Sequence, residues 1–124
     1  MKAMTAKDAK TLLEAADGRD RDIILAVIGT QRSVSEVLGI RKGDIGRRSV
    51  RFGDEDVIVP ATTLKVLRKR VRKKAPDALV FPGRDPERPA SRTTFWYAFK
   101  ILLGKAGLSS DYSPSSLRFT RAVE

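Results

Sequence analysis

Apolar residues early in the chain repeat at helical spacing. Ala9, Leu12, Leu13 and Ala16 share one helix face. Thr5-x-x-Asp8 ahead of them resembles a capping box, with Asp in place of the usual Glu or Gln, and Gly18 is the expected end of that helix. Asp20 and Asp22 then suit the positive N-terminal end of a second helix. Its run Ile23-Ile24-Leu25-Ala26-Val27-Ile28 is apolar on every side, which predicts the central buried helix, with Gly29 as its breaker. Ser33-x-x-Glu36 is a second capping box, opening a short helix that buries Val34, Val37 and Leu38 and closes at Gly39.

From Arg47 to Pro60 the period changes from helical to alternating. Val50 and Phe52, then Val57 and Val59, alternate with polar or outward residues around a turn Gly53-Asp54-Glu55-Asp56, the pattern of a β-hairpin. Thr62 or Thr63 can start a helix striped by Leu64, Leu67 and Val71, which Pro76 stops. Its other faces carry Lys65, Arg68, Lys69, Arg70, Arg72, Lys73 and Lys74. Leu79-Val80-Phe81 is short enough to be a third strand, and residues 82–89 form a loop rich in proline and charge. Ser91 caps a helix that buries Phe95, Phe99, Leu102 and Leu103 and ends near Gly107. Ser113-Pro114 begins a last helix carrying Leu117, Arg118 and Val123. These elements predict an α+β protein, mainly α-helical, with a small three-stranded antiparallel sheet.

At 124 residues the chain supports one hydrophobic core and one domain. No apolar run approaches the roughly 20 residues that span a bilayer, and residues 1–3 open without the apolar stretch of a signal peptide, so the expected location is the cytoplasm, in association with the nucleoid. Twenty-five Lys+Arg against fifteen Asp+Glu leave a net charge of +10, which favours polyanions, nucleic acid first. Cations that merely keep the fold in solution are the alternative, but the excess is large for a single domain. The chain has no cysteine and no histidine, which removes disulfides, zinc–thiolate sites and serine–histidine chemistry. Neither a cofactor nor a metal is expected.

The order of elements and several strings resemble the catalytic domain of tyrosine recombinases, the phage-integrase and Xer-like family. "LLEAADGRDRDIILAVIGT" looks like that domain's first two helices, and "SEVLGIRKGDI" is similar to the family's Ser-Glu-Leu-x-Gly-Leu-x-x-x-Asp-Ile. "VRFGDEDVIVP" resembles its hairpin, "LVFPG" with "SRTTFWYAFKILLGKAGL" its third strand and the following helix, and "SPSSLRFT" its Ser-Pro-His-x-Leu-Arg-His-x. The resemblance runs over the whole of residues 1–124. It implies a truncated form of that domain, without the family's N-terminal core-binding domain or the C-terminal segment that carries the nucleophilic tyrosine.

In the resembled family a tyrosine attacks a DNA phosphodiester, two arginines bind the nonbridging oxygens, and a lysine and a histidine assist proton transfer. Fixed guanidinium forks stabilise the charge concentrated in the pentacoordinate transition state. The family's Thr-Gly-x-Arg-x-Ser-Glu, aligned on Ser35-Glu36, places Ser33 and not Arg32 at the catalytic arginine. A one-residue step turns a helical side chain by about 100°, so Arg32 must reach back to serve. No lysine stands between Arg51 and Lys65 to occupy the hairpin position, and Asp54-Glu55-Asp56 would repel a phosphate. The His-x-x-Arg box reads Ser115-Ser116-Leu117-Arg118, retaining only Arg118. Tyr97 and Tyr112 precede Arg118, the wrong order for the nucleophile, and read as amphipathic packing residues with a wet hydroxyl.

The resemblance and the charge together imply a double-stranded DNA-binding protein without catalytic activity, a regulator of transcription or recombination associated with mobile elements. The candidate DNA contacts are Ser91, Arg92, Thr93 and Thr94 at the helix start that the family lays in the major groove, with Arg32, Arg41, Lys42, Arg47, Arg48, Lys69, Lys73, Arg118 and Arg121 on phosphates. Ser91 as a plain N-cap and Arg92 as a solvated first-turn residue is the alternative for that stretch. For the whole protein one alternative is an interaction module that docks on an intact recombinase or on transcription machinery. Another is an enzyme, either a split recombinase or a metal nuclease on Asp17, Asp20 and Asp22 or on Asp54, Glu55 and Asp56.

Overall fold

The computed structural model describes residues 3–120. In chain order these form α1 (Ala6–Ala15), α2 (Gly18–Thr30), α3 (Val34–Leu38), a 3-10 turn (Lys42–Asp44), β1 (Ser49–Phe52), β2 (Glu55–Ile58), α4 (Ala61–Val71), α5 (Arg92–Ala106) and α6 (Pro114–Arg118). α2 is the hub: it buries Ile23, Ile24, Ala26, Val27 and Ile28 and packs against each of the other five helices. A fully buried aliphatic side chain contributes about 1.5–3 kcal/mol, so this one helix organises much of the hydrophobic stabilisation. Its apolar character on every side is what that position demands.

Gly29 does not break α2. The helix continues through Thr30 and ends at Gln31, which takes the left-handed conformation at φ 57 and bonds its N–H to the Val27 carbonyl. The missing side chain serves the crossing with α4 instead, because a Cβ at position 29 would overlap the buried Thr63 hydroxyl. Gly29→Val should therefore lower stability by about 1–3 kcal/mol, an overpacking cost, read as a lower urea midpoint at unchanged slope. Gly104→Ala in α5, where an added Cβ meets nothing within 4 Å, is the control and should be neutral or stabilising.

α1 also departs from its expected cap and end. Thr5 Oγ1 accepts the Asp8 N–H at 3.1 Å, but the Asp8 carboxylate turns away and accepts the Tyr112 hydroxyl at 2.6 Å. The helix stops at Ala15, before Gly18, which opens α2 at φ +54. Tyr112 corrects the expectation of a wet hydroxyl: the residue is 1% exposed and bonds α6's leading segment to α1. The Asp8 carboxylate, aided by burial, holds this phenol above its ordinary range. Tyr97, by contrast, is 61% exposed.

The sheet has two strands, not three. β1 and β2 pair antiparallel from Ser49↔Ile58 to Phe52↔Glu55, so the turn is Gly53-Asp54 alone, with Gly53 at φ +62, and Glu55 and Asp56 belong to β2. Leu79-Val80-Phe81 is buried but bends at Val80 and Phe81, and it forms only an isolated bridge, Arg41↔Leu79. Val80 donates to the Ile40 carbonyl at 3.0 Å and Phe81 accepts from Ala90 at 2.8 Å, so its partners change from one loop to another. Pro82, which lacks an N–H, makes only an isolated antiparallel bridge with Pro89.

α4 starts at Ala61, one or two residues ahead of the expected threonines, after Pro60. Its stripe Leu64, Leu67 and Val71 is buried. α5 buries Phe95, Phe99, Leu102 and Leu103, with Ser91 Oγ accepting the Thr94 N–H at 3.2 Å and Gly107 closing it at φ +69. α6 begins with Pro114 at its first turn and buries Leu117. Arg121 and Val123 lie outside the described residues.

Candidate nucleic-acid interface

The starts of α3, α5 and α6 converge on one cleft of about 440 Å³. α3 supplies Ser33 and Ser35, α5 supplies Arg92, Thr93 and Trp96, and α6 supplies Ser115 and Arg118, with Phe119 at its edge. Segments up to 86 residues apart meet here because α3, α5 and α6 all pack on α2. Arg118 is half-buried and aimed by its own backbone contact: Nε donates to the Gln31 carbonyl at 3.1 Å. The left-handed Gln31 thus turns the α2 terminus so that one of its carbonyls holds a cleft arginine.

Ser33 and Ser115 both line the cleft beside Arg118. The Ser33 hydroxyl is occupied by the α3 capping box, accepting the Glu36 N–H at 3.2 Å and donating to Glu36 Oε1 at 3.0 Å. Burial raises the Glu36 pKa, but the Ser33 hydrogen bonds and the charges of Arg32 and Arg118 outweigh it and hold the carboxyl below its ordinary range.

Arg32 does not enter the cleft. Its guanidinium pairs with Glu36 at 3.4 Å and with Glu55 of the hairpin, and lies over the Phe52 ring, 5.3 Å from its centroid. The Glu55 hydrogen bond, with the charges of both carboxylates, raises its pKa further and keeps it charged. The acidic end of the hairpin therefore acts on Arg32, and two carboxylates surround the one guanidinium that sequence put nearest the catalytic position.

Arg92 and Thr93 face the cleft, and Arg92 Nη1 donates to Ser35 Oγ at 3.3 Å, tying α5 to α3. Ser91 and Thr94 are exposed and pair with each other as cap and first turn. Arg41 and Lys42 brace the loop after α4, Arg41 Nη1 on the Asp77 carbonyl at 2.5 Å and Lys42 Nζ on the Lys74 carbonyl at 2.6 Å. Arg47, Arg48, Lys69 and Lys73 are exposed. Trp96 and Phe119, 43% and 53% exposed, were not singled out by the sequence reading. The available signal was the four-residue step from Arg92 to Trp96, which places both on one helix face.

The acidic triplets do not converge on a metal site; among the described residues no group of three or more metal-ligating side chains comes together. Asp22 pairs with Arg70 at 2.6 Å and Asp56 with Arg51 at 3.4 Å.

The helical order, the hairpin and the cleft have the fold of a tyrosine-recombinase catalytic domain. XerA recombinase is similar over 95% of this chain and 46% of its own, with a TM-score of 0.77 at 21% identity. The Tn1549 transposon integrase, solved in complex with circular intermediate DNA, is similar over 95% of this chain and 50% of its own, with a TM-score of 0.72 at 14% identity. The catalytic core of lambda integrase is similar over 95% and 79%, with a TM-score of 0.66 at 16% identity. The chain spans about half the length of the first two. No protein-family model and no curated protein sequence matches it.

Proposed function

We propose that this chain is a double-stranded DNA-binding module that holds DNA in the α3–α5–α6 cleft without cutting it, and that it regulates transcription or recombination. The observation that carries this reading is the composition of the cleft: Arg92 and Arg118 are present, serines stand at Ser33 and Ser115, and Arg32 is held by Glu36 and Glu55. Two guanidinium groups in one cleft can fork onto phosphate oxygens. A serine hydroxyl supplies neither the fixed positive charge nor the proton relay that strand transfer needs at those places. The similar fold of the Tn1549 integrase, solved in complex with DNA, supports DNA as the ligand. Arg32 is left out of the proposed contacts because its charge is already compensated.

Incubation with nicked and intact duplex, with and without magnesium, tests the reading. A stable complex without a covalent adduct or strand products is expected, and Ser33→Arg alone should not create activity. A covalent adduct of the unmodified protein would end the reading.

A second reading is favoured by the exposed apolar side chains of α5 and its neighbour, Trp96, Tyr97, Ile101 and Phe119. Such a patch suits a protein partner, an intact recombinase or part of the transcription machinery. Retention of an intact recombinase after nuclease treatment would favour that function. No helix among the described residues is long and apolar enough to cross a membrane.

A further inference from the structure

A second positively charged surface lies on α4, apart from the cleft. Lys65, Arg68, Lys69 and Arg72 occupy positions i, i+3, i+4 and i+7, which puts them on one face of the helix and its C-terminal continuation. With Lys42 of the 3-10 turn they line an open groove of about 550 Å³. The groove shares no residue and no helix with the cleft.

Three observations distinguish this face from an ordinary solvated one. From Val57 to Pro76 the sequence contains seven Lys and Arg and no Asp or Glu, so the helix carries none of the interspersed acid that normally relieves like-charge repulsion. Among the described residues the ion pairs involve Arg32, Arg51, Arg70 and Arg88, so none forms on the four α4 groove cations. Arg70, off this face, is the contrast: it pairs with Asp22 and lies over the Phe81 ring. Thirdly, the groove is partly preset. Arg68 is fixed by donating to the Gly46 and Arg47 carbonyls at 2.6 and 2.8 Å, and Lys42 by the Lys74 carbonyl at 2.6 Å. The helix dipole favours cations in the last turn, but Lys65 stands outside that turn.

We propose that this groove binds the phosphate backbone of a second DNA duplex, so that one molecule bridges two segments. Residues 65 and 72 are about 10 Å apart along the helix at roughly 1.5 Å per residue, which spans about three base-pair steps of a duplex at roughly 3.4 Å of axis each. The groove's lining adds only Ile45 and Val71 to the five cations and includes no aromatic platform for a base, so it fits a repeating backbone charge and carries no base readout. This inference rests on the cleft holding the first duplex.

The test immobilises one short duplex, saturates it with the 124-residue protein and measures capture of a second, fluorescent duplex. Capture is expected with the unmodified protein. Lys65→Glu/Arg72→Glu should abolish it while retaining binding of the first duplex, and Lys65→Gln/Arg72→Gln should weaken it. Both positions are exposed, and unchanged circular dichroism would confirm folding. Failure of the unmodified protein to capture, or capture undiminished in the Glu variant, overturns the bridging site. Displacement of the second duplex by polyglutamate as readily as by unlabelled duplex would also overturn it, in favour of an acidic protein ligand. Arg92→Ala/Arg118→Ala separates the two readings. If that pair leaves DNA affinity unchanged, the cleft reading fails. If the groove variants then remove the remaining single-duplex binding, the groove is the primary site and bridging fails with the cleft.

Discussion

Raising salt from about 50 to about 200 mM should weaken duplex binding by roughly a thousandfold or more. Arg41, Arg47, Arg48, Lys73 and Lys74 are exposed and Arg118 is a half-buried cleft residue, which together give six candidate phosphate contacts. Each neutralised phosphate contributes about 0.9 to the slope of log affinity against log salt, so six give a slope near −5.4 and a fall of about three decades over a fourfold change in salt. Fluorescence anisotropy across that range measures it, and a slope shallower than about −2 would limit the electrostatic footprint to a few side chains. Arg32→Gln provides an internal check. Glu36 and Glu55 already compensate that guanidinium, so the slope should not change.

Arg92→Ala should cost about 1–3 kcal/mol on a preferred site and relax the preference at one base pair. Ser91 caps α5, and Phe95 and Phe99 are buried behind the first turn, so the helix start is a rigid platform. The Ser35 contact steadies the guanidinium on the cleft side, leaving it accessible to the O6 and N7 acceptors of a guanine. Selection of bound fragments from a random DNA pool, repeated with the variant, measures the effect. A uniform loss across all sequences would assign Arg92 to a phosphate, and no loss would remove the start of α5 from the interface.

The regular helices were legible because their causes are local. Ser33-x-x-Glu36 forms the reciprocal box its spacing announced, Ser91 caps α5, and the all-apolar run of α2 lies at the centre. Local pattern also placed the hairpin, since alternation and a glycine-led turn act over a few residues. The contacts across the chain were not legible. Sequence set Arg32 one residue from the catalytic position, but the approach of the hairpin, whose Phe52 and Glu55 lie 18 and 21 residues beyond α3's start, decided that those two would take it.

Gly29 has the same lesson. Locally a glycine favours a helix end, and only the proximity of α4 makes it a place where two helices cross without a side chain between them. Tyr112 is buried because α1 brings Asp8 to its hydroxyl across 104 residues, and residues 79–81 fail to make a third strand because no single partner runs beside them. Spacing, capping and composition act along the chain, so the sequence by itself determined the helices, the hairpin and the excess of positive charge. Which charges are compensated and which face a cleft or a groove depends on segments brought together from far apart, and the tertiary structure alone decided that.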